Sequence, residues 1–185
     1  FTLMDYRSRI RGGHNFAQIR VHSRPLTTHR DGIHLLLALD EASFAQHLDE
    51  IVAGGAIIYD EALVVPADVQ DRMTIAGVQA FHVPLKRLAV ELGGSDVMMN
   101  TAAIAAAAGV MGYPLSFIEE MIHKSFGKKS PAIVEANLKV AAAAYQLAEQ
   151  QYGALFEHKL EPIPGAPPRM LLNGNEAFGF GALAG

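Results

Sequence analysis

The residues best suited to hold an anion lie near the start of the chain, in Arg9-Ile10-Arg11-Gly12-Gly13-His14. Two guanidinium groups can pair with phosphate or carboxylate oxygens. Two adjacent glycines permit positive φ, which lets backbone N–H groups face a ligand. The same residues would serve as a tight turn into the next strand with both arginines in solvent, and the residue types leave both readings open. Asp40 and Asp60 close two predicted strands, the end of a parallel sheet at which α/β folds place their ligands. Asp40 also stands where it would cap the helix that follows, and that is the preferred reading. Lys124, Lys128 and Lys129 gather at a predicted helix end, where they complement the helix dipole. Asn100 and Asn137 are polar positions on otherwise apolar helices, able to satisfy a neighbouring backbone group or to reach a site.

Other chemistries are poorly served. The histidines (14, 22, 29, 34, 47, 82, 123 and 158) include no i, i+4 pair flanking a glutamate, and His34, inside an apolar strand, reads as a hydrogen-bonded core residue. No metal site is expected, and no residue qualifies as a catalytic acid or base. There is no Gly-x-Ser-x-Gly elbow. Gly127-Lys128-Lys129-Ser130 resembles the tail of a phosphate loop, but the glycine required upstream is Ile122. Gly179-Phe180-Gly181-Ala182-Leu183-Ala184 fits the dinucleotide pattern literally yet lacks a preceding strand, so it reads as coincidence. With no cysteine among the 185 residues, the chain cannot supply a Cys nucleophile, a disulfide or a thiolate ligand to an iron–sulfur cluster.

The elements that must position these residues follow from hydrophobic period and breakers. Phe16 to His22 alternates like a strand with one solvated face, and Ile33 to Leu39 is a continuous apolar run typical of a buried strand. A helix capped at Asp40 or Ser43 is predicted to carry Phe44, Leu48, Ile51 and Val52 on one stripe and to stop at Gly54-Gly55, after which Ala56 to Tyr59 resumes a strand. Leu63 to Val65 reads as a short edge piece, Gln79 to Val83 as a strand and Leu85 to Leu92 as a helix stopped by Gly93-Gly94. Three Ala-rich helices follow. The first runs from Ser95-Asp96 to Met111; the second follows Pro114, with Ser116 and Glu119 fitting a capping box; the third runs from Ser130-Pro131 to about Gln151. Strands alternating with helices predict an α/β, Rossmann-like fold: a parallel-rich sheet flanked by helices, with a C-terminal Ala-rich helical region. Residues 153–168 contain four prolines and form an extended linker.

Length and charge bound the rest. A chain of this length, half apolar, carries enough hydrophobic surface for one folded domain with an appendage. Its formal charge of −4 disfavours general nucleic-acid binding. Val97 to Met111, the longest apolar run, falls short of the about 18 residues that cross a bilayer, and no basic-then-apolar leader follows Phe1. A cytoplasmic protein without membrane or nucleic-acid partners is the expectation. Phe1 at one end and a glycine-alanine run at the other also suggest a piece of a longer chain.

The segment Tyr6-Arg7-Ser8-Arg9-Ile10-Arg11-Gly12-Gly13-His14-Asn15 followed by Ile19-Arg20-Val21 resembles the Arg-Gly-Gly segment of the gamma domain of 2-oxoacid:acceptor (ferredoxin) oxidoreductases. Asp31, Leu39-Asp40, Gly54-Gly55-Ala56-Ile57-Ile58-Tyr59-Asp60, Val65-Pro66, Asn100 and Asn137 continue the likeness. Gly174-Asn175-Glu176-Ala177 with Gly181-Ala182-Leu183-Ala184-Gly185 resembles the opening of the alpha, pyrimidine-type domain. This order is similar to that of the fused alpha subunit of two-subunit enzymes such as those acting on 2-oxoglutarate. The resemblance implies residues 1–152 as gamma domain, lacking the family's first strand and glycine-rich turn, 153–168 as linker, and 169–185 as the truncated start of the alpha domain. It implies a component of a complex that oxidatively decarboxylates a 2-oxoacid with coenzyme A, giving acyl-CoA, carbon dioxide and reduced ferredoxin. Within that complex, this portion would bind or position coenzyme A, with Arg9, Arg11, Gly12 and Gly13 as the contacts, and assemble subunits into an oligomer. Thiamine diphosphate and the iron–sulfur cluster would sit on a beta subunit, and the fragment alone would be inactive. Glu176 matches the family segment without a proton-relay role being assigned to it. The competing reading is a non-catalytic Rossmann-like nucleotide-binding or structural module.

Overall fold

A computed structural model describes residues 2–5, 14–26, 28, 30–128, 130–165 and 174–184. β1 (Thr2–Asp5) and β2 (Phe16–Ile19) form an antiparallel pair, with Thr2 opposite Ile19 and Asp5 opposite Phe16. A separate sheet joins β3 (Ile33–Ala38), β4 (Ile51–Asp60) and β5 (Gln79–Val83) in that order, all parallel. The expected parallel-rich α/β sheet is therefore present. Parallel strands require crossovers, and helices supply them: α1 (Glu41–His47) with a 3₁₀ turn (Leu48–Glu50) lies between β3 and β4, and α2 (Ala67–Ile75) lies between β4 and β5. After β5 come α3 (Leu85–Gly93), a 3₁₀ turn (Asp96–Met98), α4 (Met99–Met111), α5 (Leu115–Phe126), α6 (Pro131–Ala148), a π turn (Glu149–Gly153) and α7 (Gly174–Ala184).

Successive residues of β4 point to opposite faces and so build two cores. Ala56 and Ile58 join Phe81, Val83 and the alanines of α4 and α6 on one face. Ile57 and Tyr59 join Phe44, Leu48, Val69 and Met73 on the other. α4 lies between the sheet and α6, which small side chains make possible: Ala102, Ala103, Ala105, Ala106, Ala107 and Ala108 are all buried. At Gly109 even a methyl group would stand 2.5 Å from the Tyr145 carbonyl oxygen, so glycine sets how closely α4 and α6 approach. The polar seam in this layer is the Thr101 hydroxyl donating to Asn137 Oδ1 at 2.7 Å, while Asn137 Nδ2 donates to the Ile133 carbonyl at 2.8 Å.

Several local expectations are corrected. β2 stops at Ile19 instead of His22. α1 ends at His47, and Ile51 and Val52 belong to β4, which runs through Gly54-Gly55 instead of starting after them. There β4 carries three more residues than β3 between the pairs Ile33–Ile51 and Leu35–Ala56, a bulge that glycine permits. Gly54 has φ +78° and donates its N–H to the Gly77 carbonyl at 3.1 Å; a side chain at Gly55 would meet the Val52 and His34 carbonyl oxygens. Residues 63–65 form no strand, and α2, which has only Val69 and Met73 buried, follows Pro66. The Ser116–Glu119 capping box does not form, because Pro114 occupies the cap position of α5 and Ser116 is already inside the helix. Ser130 does cap α6, accepting from the Ala132 N–H.

Candidate functional site

The carboxyl ends of β3 and β4 present Asp40 and Asp60, and the two differ in kind. Asp60 is buried, and its oxygens accept the Ala62 N–H at 3.0 Å and the Lys86 N–H at 2.6 Å. Both lone-pair sets thus fix the turn after β4 and the start of α3, and the side chain is committed to structure. Asp40 caps α1 as preferred, accepting from Ser43 N at 2.9 Å and Ser43 Oγ at 2.7 Å. Burial pulls its carboxyl upward, but the two Ser43 bonds and the neighbouring His14 outweigh it and hold Asp40 below the usual carboxylate range.

A cleft of about 280 Å³ opens beside Asp60, lined by Glu61, Lys86, Arg87, Val90 and Glu91. Arg87 Nε donates to Glu61 Oε1 at 3.0 Å, and its two cations face three carboxylates, so this cleft offers a phosphate no net attraction.

The other polar concentration surrounds His14, the residue after Gly13. His14 Nε2 lies 2.9 Å from His47 Nε2 at the end of α1, and His47 Nδ1 lies 3.2 Å from Glu50 Oε2. His14 Nδ1 stands 3.7 Å from Asp40 Oδ1. Phe16 presents its ring to His47 edge-on, with centroids 4.7 Å apart. On the same face of the sheet, the Tyr59 hydroxyl meets His82 Nε2 at 2.7 Å. Burial, and then the neighbouring Tyr152, push Tyr59 upward from the ordinary phenol range.

The Arg9, Arg11, Gly12 and Gly13 segment lies outside the described residues, and so does Lys129. Asn137 is buried in the α4–α6 seam, whereas Asn100 is exposed. His34 is corrected: it is exposed, not a core residue, and its ring packs edge-on against His158 at 4.3 Å. Desolvation, then the charges of His158 and Arg30, hold His34 below its ordinary value. Gly179, Gly181 and Ala184 lie inside α7, so the literal dinucleotide pattern is helix and has no strand leading into it. Glu176 sits in the first turn of that helix, where a carboxylate complements the dipole. Lys124 pairs with Glu120 at 2.6 Å. Among the described residues no three His, Asp or Glu side chains converge as metal ligands, and no helix is long and apolar enough to cross a membrane.

Sequence reading missed the His14–His47 contact, which joins residues 33 apart, because neither has a motif spacing. It also missed Tyr152, whose hydroxyl accepts from the His82 N–H at 3.1 Å and donates to the His82 carbonyl at 2.8 Å, sealing the edge of β5. Lys159 went unnoticed too: its ammonium donates to the Val110 carbonyl at 2.7 Å and to the Gly153 carbonyl, tying the residues after the π turn to the end of α4.

Comparison with known proteins identifies the family. The chain is 24% identical, over an alignment of 222 positions including gaps, to a 2-oxoacid:ferredoxin oxidoreductase alpha subunit of Aeropyrum pernix, covering 98% of this chain and 34% of that protein. It therefore spans about a third of the length of that relative. It is 26% identical over 144 residues to the 2-oxoglutarate synthase subunit KorC of Methanothermobacter thermautotrophicus, covering 77% of this chain and 75% of that one. The fold matches a solved 2-oxoglutarate:ferredoxin oxidoreductase from Magnetococcus marinus, which holds 2-oxoglutarate, coenzyme A and succinyl-CoA. That match has a TM-score of 0.77 at 24% identity, over 98% of this chain and 31% of that one. The sequence profile described as pyruvate ferredoxin/flavodoxin oxidoreductase matches residues 1–147, which include the whole parallel sheet, and the chain belongs to that family.

Proposed function

We propose that this chain is part of a 2-oxoacid:ferredoxin oxidoreductase alpha subunit, with residues 1–152 as gamma domain, 153–168 as linker and 169–185 as the start of the alpha domain. The observation that carries this reading is the alignment of 98% of the chain, on both sides of the proline-rich segment, with one alpha subunit. In such a complex thiamine diphosphate supplies carbanion chemistry and an iron–sulfur cluster removes the electrons. With no cysteine, these 185 residues hold no thiolate for a cluster; we place the electron path on a beta subunit. This chain's task is binding and assembly. Arg9 and Arg11 pair with the phosphates of coenzyme A, and the Gly12 and Gly13 N–H groups add uncharged donors. The negative balance of the Asp60 cleft favours that segment over the cleft as the anion contact.

Titration of coenzyme A into the full chain by calorimetry tests the binding role. Saturable binding is expected, weakened about 10- to 100-fold in Arg11→Ala, since a hydrogen bond to a charged group contributes about 1.5–3 kcal/mol and each tenfold is about 1.4 kcal/mol. Absence of binding, or binding that Arg11→Ala leaves untouched, would overturn the assignment.

A further inference from the structure

Asp40, His14, His47 and Glu50 form a chain of four titratable groups with three contacts between them. Their separations are 3.7 Å, 2.9 Å and 3.2 Å in that order. The His14 and His47 side chains are 6% and 7% exposed, so water cannot readily complete their hydrogen bonds. The two shorter contacts each need one proton between their heavy atoms, and a pair of neutral imidazoles brings two, leaving none for His14 Nδ1 beside Asp40. If His47 donates from Nδ1 to Glu50, its Nε2 is bare and accepts from His14 Nε2–H. His14 Nδ1 is then a lone pair facing a carboxylate oxygen. That atom is the one buried side-chain polar atom among the described residues with no hydrogen-bond partner. The opposite tautomers only move the acceptor–acceptor contact to Glu50.

We propose that this cluster is a proton-dependent latch between β2 and α1 that binds one proton beyond the neutral pair and comes apart on taking a second. The first proton, on His14 Nδ1, gives that buried atom a hydrogen and sets an imidazolium 3.7 Å from the Asp40 carboxylate, with both shorter contacts kept. The second falls on His47 Nε2 and sets two N–H groups against each other across 2.9 Å, which forces the rings apart. Imidazole is the side-chain group whose charge changes nearest to neutral pH, so a pH series is the way to read the two steps. Among the described residues, the charged groups facing the pair are Asp40 from the start of α1 and Glu50 from the 3₁₀ turn. Neighbouring Asp49 is already paired with Arg72 of α2, and β2 contributes only the Phe16 ring. Because β1 and β2 form a sheet of their own, this contact ties that hairpin to the parallel sheet's helices. The latch stands independently of the coenzyme A reading.

Nitrogen-detected NMR of the imidazoles in the full chain, from pH 8 to 5, tests it. The expected result is two separated steps. In the first, His14 becomes doubly protonated while His47 keeps a neutral tautomer. In the second, the β2 amides and the Phe16 ring shift together as the hairpin releases. Asp40→Asn keeps a residue able to cap α1 and is expected to move the first step to lower pH. Two rings that titrate as independent single sites, or a first step that Asp40→Asn leaves in place, would overturn the proposal.

Discussion

Against one face of the parallel sheet, α4 and α6 bring alanine after alanine, a glycine at the crossing and one polar pair, half-buried Thr101 on buried Asn137. Against the other, α1, the 3₁₀ turn after it and α2 bring Phe44, Leu48 and Met73 together with buried Ser43 and His47, and the amino-terminal strand pair meets them through His14. The first face is set by steric fit: nearly every position is small, and the helices approach until a glycine meets a carbonyl. The second is packed by larger apolar side chains and carries at its edge the cluster of titratable groups around His14 and His47. Close packing and titratable groups are thus divided between the two sides of one three-stranded sheet, and the proposed anion-binding segment immediately precedes His14 in the sequence.

That division can be broken from either side, and the largest effect belongs to the packed face. Phe81 is fully buried, stacks on Tyr152 at 4.6 Å and meets Phe156 edge-on. Phe81→Ala is expected to cost about 3–5 kcal/mol in denaturant unfolding, since the cavity cannot collapse between a strand and its cover. Gly109→Val places side-chain atoms where Tyr145 already stands, and is expected to cost about 1–3 kcal/mol by the same measurement. Asn137→Ala strands the Thr101 hydroxyl at a cost of about 1–3 kcal/mol, whereas Asn137→Leu combined with Thr101→Val loses much less, because both polar partners go together. A double-mutant cycle reads that coupling directly.

The polar face answers to pH. Asp40 is depressed in the folded state, so its contribution is fully present above the ordinary carboxylate value of 3.8 and disappears as pH falls through its lower folded value. Unfolding followed from pH 5 to 2 is expected to show a loss of stability in the wild type that Asp40→Asn reduces, with little difference between the two proteins in its intrinsic capping.

Strand and helix period made most of the fold legible. The β3 run, β5, α3, α4 and the Ser130 cap of α6 stand where apolar spacing and breakers place them. What failed did so for identifiable reasons. Gly54-Gly55 looks like a helix stop, but in a sheet the same pair allows a bulge, and only pairing with β3 decides between them. α2 buries just Val69 and Met73, too few to show a helical stripe. His34 stands in an apolar run, yet β3 is an edge of the sheet and leaves it exposed. The family was legible from the Arg-Gly-Gly segment and the residues that follow it. The His14–His47 pair was not, because a contact between chain-distant residues leaves no local pattern.

The most direct test of the central claim is purification of the complex that contains this chain from its own cells, followed by an assay for coenzyme A-dependent reduction of ferredoxin with a panel of 2-oxoacids that includes 2-oxoglutarate. The account predicts a stable partner carrying thiamine diphosphate and an iron–sulfur cluster, and ferredoxin reduction that requires both a 2-oxoacid and coenzyme A. A chain that purifies alone, or a complex that reduces no ferredoxin with any 2-oxoacid, would contradict it.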